Sequence, residues 1–425
     1  MVKRSRVVLV GPFLSFPWIF DAAKRAGIDL VVVPRDGASA RDAAGLPAVV
    51  EVLPLPVLSD PEAALSALVE HHRREPFQGI MTGSEMAVPF TALAARALGL
   101  VGLTESAAEV VRDKRGMRQR LRKAGLAVPG FVALGRPDAW ADALVLSFPM
   151  VVKPVDGVSS LGVIRADSEA QLAAAVARTW RLGAEHLRHG AEPAEGPRIL
   201  VEEYLDGPEV SVETLVHRGE ARVCAISYKG ELVGPYFEEV VYRTPAQLPA
   251  EVLAAIEREV IAAHRAFGVA DGVTHTELRL VGGTRPVLVE MAARIGGSGS
   301  LHHNVRVGTG IDLAAEALRV HLGQPPVCWT RPPRASAHAA SYSVPVGSGG
   351  RVVRLRGLEA VRADPRVDCV VVGAEPGEVL LAYPDFTSYP ALVLSHHGSD
   401  AEAVAFHDHL ARTLCVEYEQ QEGAV

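Results

Sequence analysis

From Arg6 onward, apolar β-branched runs alternate with amphipathic helical stretches, and this constrains the first hundred residues more than any other feature. Arg6–Val10, Leu30–Val33, Val49–Leu53 and Gly79–Thr82 read as strands. Trp18–Ala26, Pro61–Glu70 and the Ala-rich Ala87–Leu98 read as helices. Strands separated by helices predict a parallel sheet with helices on its faces, ending near residue 105. The first residues place basic side chains ahead of apolar ones, as a signal segment does. Gly11, Pro12 and Pro17 break that apolar run, and the strand–helix pattern continues through it. No run of about 18 apolar residues is present, so no membrane span is expected.

The pattern changes at Thr104. A polar helix over about Ala107–Ala124 leads to the break Val128-Pro129-Gly130, after which short strands alternate with a helix over about Glu169–Leu182. Gly183–Pro197 is rich in Gly, Ala and Pro and reads as a loop. Strands resume at Ile199–Tyr204, Glu209–Val216 and Val223–Tyr228. A helix follows over Glu251–Phe267, and then Glu277–Val281 and Val287–Glu290 pair around a Gly-Gly turn. The Pro-rich stretch Cys328–Arg334 reads as a linker into a third region, which closes with a helix over about Asp400–Leu414.

A chain of 425 residues is too long for one ordinary core. Its 48% hydrophobic and 22% charged residues belong to a folded protein. We expect domains over 1–105, 106–325 and 326–425. A net charge of −7 gives no electrostatic reason for a nucleic-acid partner. Cys224, Cys328, Cys369 and Cys415 form no CxxC pair and are expected to be reduced thiols in a cytoplasmic protein.

Six lysines stand against 37 arginines, so a retained lysine can mark a place that needs a compact ammonium. None follows a glycine, which excludes a GxxxxGK[ST] phosphate loop. GxGxxG after the first strand, HExxH and GxSxG are absent too. What remains is a spaced set. An apolar strand ends in Lys153-Pro154 and runs into Val-Asp-Gly157-Val-Ser159-Ser160-Leu-Gly162. Small residues and exposed N–H groups can fold over phosphates there, with Lys153 as a point charge; a plain hairpin fits the segment equally well. Lys114 alone reads as a surface charge. Glu202-Glu203-Tyr204-Leu205 and Glu209 flank a turn and match the needs of an adenine edge and a ribose, though each alone suits a charged turn. Glu277 and Glu290 lie on predicted neighbouring strands, where an antiparallel hairpin sets such positions side by side. Two adjacent carboxylates favour a shared cation, and Mg²⁺ takes carboxylate oxygens plus phosphates. Arg294 comes next, suited to a transferring phosphoryl group.

In this order the set resembles the ATP-grasp superfamily over about residues 105–325. Lys153-Pro-Val-Asp-Gly, Glu203-Tyr-Leu-Asp-Gly-Pro-Glu-Val-Ser-Val-Glu, Thr-His275-Thr-Glu277 and Glu290-Met-Ala-Ala-Arg294-Ile-Gly296-Gly297 resemble its L-amino acid ligase branch. The tail from Ser341-Tyr-Ser-Val-Pro-Val resembles that branch's C-terminal domain. The resemblance implies an α/β fold: an N-terminal parallel domain, a central ATP-grasp domain with α+β character and a mobile lid over about 128–205, and a C-terminal α+β domain. It implies ATP held by Lys114, Lys153, Ser159, Ser160, Glu202, Leu205 and Glu209, and Mg²⁺ (with Mn²⁺ as a substitute) held by Glu277 and Glu290. Three positions depart from the usual pattern: Ala292 where the superfamily often has Asn, Ser298-Gly299 where the branch often has Asp-His, and Val241-Tyr242 in a loop that often carries Gly-His.

The expected reaction joins a carboxylate, that of an amino acid in the branch's usual chemistry, to an amine through an acyl phosphate, releasing ADP and phosphate. Lys153 and Arg294 would spread the transferring charge, and His275 would touch the substrate or take the amine proton; a packed structural histidine fits as well. Ser84 and Glu85, after the Gly79–Thr82 strand, are substrate candidates along with Gly296 and Gly297; Ser84 also suits a helix N-cap. His71-His72, His302-His303 and His396-His397 lack metal-ligand spacing. The expected partners are small carboxylates and amines, with a homodimer an ordinary assembly. A carboxylase, an acid–thiol ligase or a non-catalytic nucleotide-binding regulator are the alternative readings.

Overall fold

In the computed structural model, which describes residues 4–186, 198–232, 234–331, 337–385 and 388–419, the opening runs form a parallel sheet. Its strands are β1 (Arg6–Val10), β2 (Asp29–Val33), β3 (Val49–Val52) and β4 (Gly79–Thr82), ordered β3-β2-β1-β4. Val7, Val8, Leu9 and Val10 are all buried, as expected of strands covered on both faces. The helices of this region are α1 (Trp18–Ala26), α2 (Gly37–Ala43), α3 (Pro61–Arg74) and α4 (Val88–Leu98). Val8, Val10, Val31 and Val33 pack with Leu68 of α3 and Phe90 of α4. The other face, Val7, Leu9, Leu30 and Val32, packs with Phe20 of α1 and with Leu313 and Leu318 from far along the chain. The short helix α2 escapes the periodicity reading; Asp36 caps it by accepting from the Ser39 amide at 2.8 Å.

The polar helix read over Ala107–Ala124 is two helices, α5 (Glu105–Arg112) and α6 (Lys114–Lys123), broken at Asp113. Asp113 is extended (φ −119°, ψ 99°), and the Lys114 amide leaves the helix to donate to Val155 O at 3.0 Å. A tertiary hydrogen bond thus replaces a local one, which periodicity cannot foresee. Next comes an antiparallel sheet of β5 (Phe131–Leu134), β6 (Met150–Pro154), β7 (Ile164–Ala166) and β8 (Ile199–Glu203), ordered β5-β8-β6-β7. It is backed by α7 (Glu169–His186), whose Leu172, Ala175 and Val176 pack on Met150, Val152 and Val201. The start of the expected Gly183–Pro197 loop belongs to α7; positions 187–197 lie outside the described residues.

The rest is built on one eight-stranded sheet. Its first six strands along the chain are β9 (Glu209–His217), β10 (Glu220–Gly230), β11 (Val241–Thr244), β12 (Gly272–Val281), β13 (Arg285–Ala292) and β14 (His338–Ser343). After β14 come β15 (Gly350–Arg356), β16 (Val367–Val372), β17 (Val379–Leu380), β18 (Ala391–His397) and β19 (Cys415–Tyr418). The large sheet is ordered β13-β12-β9-β10-β11-β14-β18-β16, while β17-β15-β19 makes a small one. The tail therefore extends the central sheet through the β11–β14 pairing. Val241-Tyr242, read as loop, opens β11. The remaining helices are α8 (Ala250–Phe267), α9 (Leu301–Thr309), α10 (Leu313–His321), α11 (Leu358–Arg362) and α12 (Asp400–Thr413). It is α10 that covers the first sheet. In the expected linker, Val327–Trp329 forms a helical turn and positions 332–336 are outside the described residues. The four cysteines are free. Among the described residues no helix is long and apolar enough to cross a membrane.

Candidate functional site

A cleft of about 710 Å³ opens where the β5-β8-β6-β7 sheet, the large sheet and the C-terminal ends of the first sheet meet. Strand geometry fixes its floor. β12 places His275 and Glu277 on one face by alternation, and Glu277 sits in register with Glu290 of β13. The two carboxylates expected to lie side by side do so, and both line the cleft.

The roof is the turn between β6 and β7. Ser159 and Ser160 both adopt left-handed backbone (φ 54° and 55°), a conformation that non-glycine residues seldom hold. Thr179 of α7 donates to Gly162 O at 2.8 Å and anchors the turn. Lys114 fastens roof to floor: its Nζ donates to Gly157 O at 2.7 Å and to Glu290 Oε1 at 3.0 Å. The break at Asp113 is what aims Lys114 inward. Lys153, from the end of β6, pairs with Glu202 of β8, and so does the fully buried Arg118 of α6 (Nε to Oε1, 2.5 Å). Burial raises the Glu202 carboxyl, but Arg118 and Lys153 outweigh it and hold the group down at about 2. Glu209 is likewise occupied, by Lys229 (2.5 Å) and Arg279 (2.8 Å), and Leu205 lines the cleft beside it.

Among the described residues, two groups of side chains are tight enough to hold a metal ion. One is Glu51, His71 and Glu75 at the edge of the first sheet, where Arg6 already pairs with both carboxylates. The other is Glu209, Glu239 and Glu277. The Lys229 ammonium sits among those three at 2.5, 3.0 and 2.8 Å, so that cage already holds a cation. Glu290 differs. Burial raises its carboxyl, Glu85 and Glu277 raise it further, and Lys114 only partly offsets them. Burial raises Glu277 too, but Lys229 and His275 outweigh it and hold that carboxyl well below the usual range. Glu290 is therefore the member of the pair left under-neutralised, and beside Glu277 it offers the oxygens that a divalent cation takes.

His275 lies between two carboxylates. Nδ1 donates to Glu213 Oε1 at 2.5 Å and Nε2 to Glu277 Oε1 at 3.2 Å. Burial lowers the ring, but Glu213 and Glu277 raise it to about 10. Both ring nitrogens lie within hydrogen-bond distance of carboxylates, so the ring bridges Glu213 and Glu277 and fixes the position of Glu277. Gly296 packs against this pair, and its amide donates to Glu213 Oε2 at 3.2 Å. Gly297, at φ 56°, lines the cleft.

Arg294 does not reach for Glu290; it donates to Glu85 Oε2 at 2.7 Å. Glu85 is buried and also pairs with Arg112 at 2.8 Å, so the ligand-binding end of the first sheet is tied directly to the floor. Ser84 lines the cleft and makes no side-chain cap to the helical turn after it. The positions that depart from the usual pattern also gather here. Ala292 is in register with His275, Ser298 lines the cleft in left-handed backbone, and the Tyr242 hydroxyl donates to Glu239 Oε2 at 2.5 Å.

Lys229, Arg118, Arg279, Glu213 and Glu239 are the site residues missed in the sequence. Lys229 carried a usable signal, being one of only six lysines. Arg118 carried none, since it lies in Lys-Arg-Gly-Met-Arg-Gln-Arg-Leu-Arg-Lys, where every basic residue reads as surface.

The chain matches the ATP-grasp N-terminal domain family over residues 20–102, the ATP-grasp domain over 146–302 and the L-amino acid ligase C-terminal domain 2 over 344–419. The crystal structure of an L-amino acid ligase from Bacillus licheniformis superimposes with a TM-score of 0.84 at 35% identity, covering 99% of this chain and 100% of that one. Carnosine synthase 1 of Gallus gallus is 30% identical over 302 residues, 65% of this chain and 32% of that protein. Alanine–anticapsin ligase of Bacillus subtilis is 29% identical over 259 residues, 57% of this chain and 53% of that protein. The chain thus spans between a third and about half of these two relatives' lengths.

Proposed function

Since the chain belongs to the L-amino acid ligase family of ATP-grasp proteins, we propose that it is an ATP-dependent ligase joining an amino acid's carboxylate to the amine of a second small substrate, most simply another amino acid. The observation that carries this reading is Lys114, whose ammonium spans the phosphate-type turn at Gly157 and the carboxylate pair at Glu290. That arrangement would let one cleft take a polyphosphate anion together with its counter-ion.

ATP would lie between roof and floor. Lys153, Lys114 and the backbone and hydroxyls of Ser159 and Ser160 face its phosphates, and Glu202, Leu205 and Glu209 face the nucleoside. Glu277 and Glu290 would hold Mg²⁺, which would supply positive charge against the phosphates when bound. In the first step a carboxylate oxygen of one substrate bonds to the γ-phosphorus, and the bond from that phosphorus to the β-phosphate oxygen breaks, leaving ADP and an acyl phosphate. In the second step the amine nitrogen bonds to the acyl carbon, the carbon–oxygen bond to phosphate breaks, and the nitrogen loses a proton to solvent or to departing phosphate. Arg294, held by Glu85 beside Ser84, would stabilise the oxyanion that forms. His275 acts as a positioning residue for Glu277. Closure of the lid excludes water, which otherwise hydrolyses the acyl phosphate.

The test is phosphate release from ATP across a matrix of amino acids and amines, with products weighed by mass spectrometry. Amino-acid-dependent ADP formation with a matching amide mass supports the reading. Turnover only with bicarbonate or a thiol, or nucleotide binding without turnover on the whole panel, contradicts it.

A further inference from the structure

Among the described residues, six lysine and arginine side chains line the cleft, and five have carboxylate partners. Lys114 pairs with Glu290, Arg118 and Lys153 with Glu202, Arg279 with Glu209, and Arg294 with Glu85. Arg35 is the sixth. Among the described residues no carboxylate lies within ion-pair distance of it. Its guanidinium lies over the Phe13 ring, 4.2 Å from the centroid, which steadies the group where it lines the cleft.

Its place in the fold is specific. Arg35 follows β2, Phe13 follows β1 and Ser84 follows β4, so the three lie beyond the C-terminal ends of adjacent parallel strands, where open α/β sheets take ligands. Gly11 allows them to converge. At φ 58°, a Cβ there would stand 2.8 Å from Ser84 Cβ and 3.5 Å from Arg35 Cγ. Ser84 is next to Glu85, which holds Arg294, so this rim adjoins the reacting end of the cleft rather than the nucleoside end.

Resting on the ligase reading, we propose that Arg35 is a specificity residue that holds the carboxylate of the amine-bearing substrate and so selects α-amino acids over their amides and over simple amines. When the acceptor is an amino acid, the second step leaves a carboxylate for such a group to hold. The first substrate's carboxylate has become an acyl phosphate, so the free carboxylate still present belongs to the acceptor. It enters a cleft lined by Glu85, Glu239, Glu277 and Glu290 and loses water when the lid closes. A buried anion among carboxylates needs a cation that is not already committed, and a guanidinium offers a two-pronged match to a carboxylate.

The experiment compares the full-length wild type with Arg35→Ala and Arg35→Lys. ATP and the first substrate are saturating, and the acceptor is either the best amino acid from the matrix or its α-carboxamide. Arg35→Ala is expected to raise the acceptor KM about ten- to a hundredfold for the amino acid and to leave the carboxamide unaffected, erasing the wild-type preference. Arg35→Lys should restore part of it, and the KM for ATP should not move in either variant. Arg35 is exposed, so the fold is not at stake, and a thermal melt checks this. If Arg35→Ala still prefers the amino acid over its amide as the wild type does, or if the loss appears in the KM for ATP, the proposal fails while the ligase reading stands. If the wild type forms no amide from any amino acid pair, the ligase reading fails and the proposal with it.

Discussion

Gly296 has no room for a side chain. A Cβ there would lie 2.4 Å from His275 Nδ1, 2.6 Å from Glu213 Oε1 and 2.6 Å from Leu301 Cδ1. Gly296→Ala should therefore lower stability by about 1–3 kcal/mol and lower the affinity for Mg²⁺ together with it. Denaturant unfolding and metal titration check both, and a variant as stable as the wild type would show that the pair can move aside. Glu290→Ala and Arg294→Ala should each cost about 10²–10³ in phosphate release while the far-ultraviolet circular dichroism is unchanged; near-normal ADP formation in either contradicts the assigned role. At this scale the sequence disclosed residues whose type is rare or whose spacing is regular. Glu277 and Glu290 show through strand pairing, and Lys153 through its place before a Gly/Ser turn. Arg118 and Arg279 do not show, because only long-range packing turns an ordinary arginine inward.

The sheet β5-β8-β6-β7 with α7, the proposed lid, is the element whose behaviour matters most. It is joined to the C-terminal region by Arg178 of α7, which pairs with Asp385, and its core packs against Tyr236, which stacks on Tyr383 (centroids 6.5 Å apart). Ser160 in the roof also donates to Glu239 Oε1 at 3.3 Å. Asp385→Ala should loosen closure. The ratio of ADP to amide product should rise above one as water reaches the acyl phosphate, while nucleotide affinity changes by no more than about threefold, since a half-exposed ion pair contributes little to binding. A ratio that stays at one would mean that this contact does not govern closure. Elements with regular periodicity (β1, β2, β4, α1, the β12–β13 hairpin) are legible in the sequence. The α5–α6 break is not, because the Val155 carbonyl that takes the Lys114 amide lies in a different part of the chain.

Across the whole molecule, the first sheet depends on residues two hundred or more positions later in the chain. Its inner face is completed by α10, and Gly79 lies so near the end of that helix that a Cβ would stand 2.8 Å from His321 O. The strand–helix alternation announced the sheet but not its cover, since nothing in residues 313–321 says which surface they pack on. Buried histidines make this architecture acid-sensitive. Burial lowers His264, His302 and His321 to about 4, so the folded state keeps these rings neutral where the unfolded chain protonates them near 6.5. Their contribution is complete above about pH 6.5 and is lost as pH falls toward about 4, at roughly 1.4 kcal/mol per histidine per pH unit. Denaturation midpoints should fall steadily through that window, and a flat profile there would contradict the neutral burial of these rings.

Activation of a carboxylate on the γ-phosphate within this cleft is the step on which everything else depends, and an isotope experiment tests it most directly. The carboxylate of the first substrate is labelled with heavy oxygen, the reaction is run with ATP, Mg²⁺ and an acceptor, and the released phosphate and the product are weighed. An acyl phosphate delivers one labelled oxygen to each phosphate and leaves the other in the amide carbonyl. Phosphate without label, or label carried away in AMP, would contradict the mechanism.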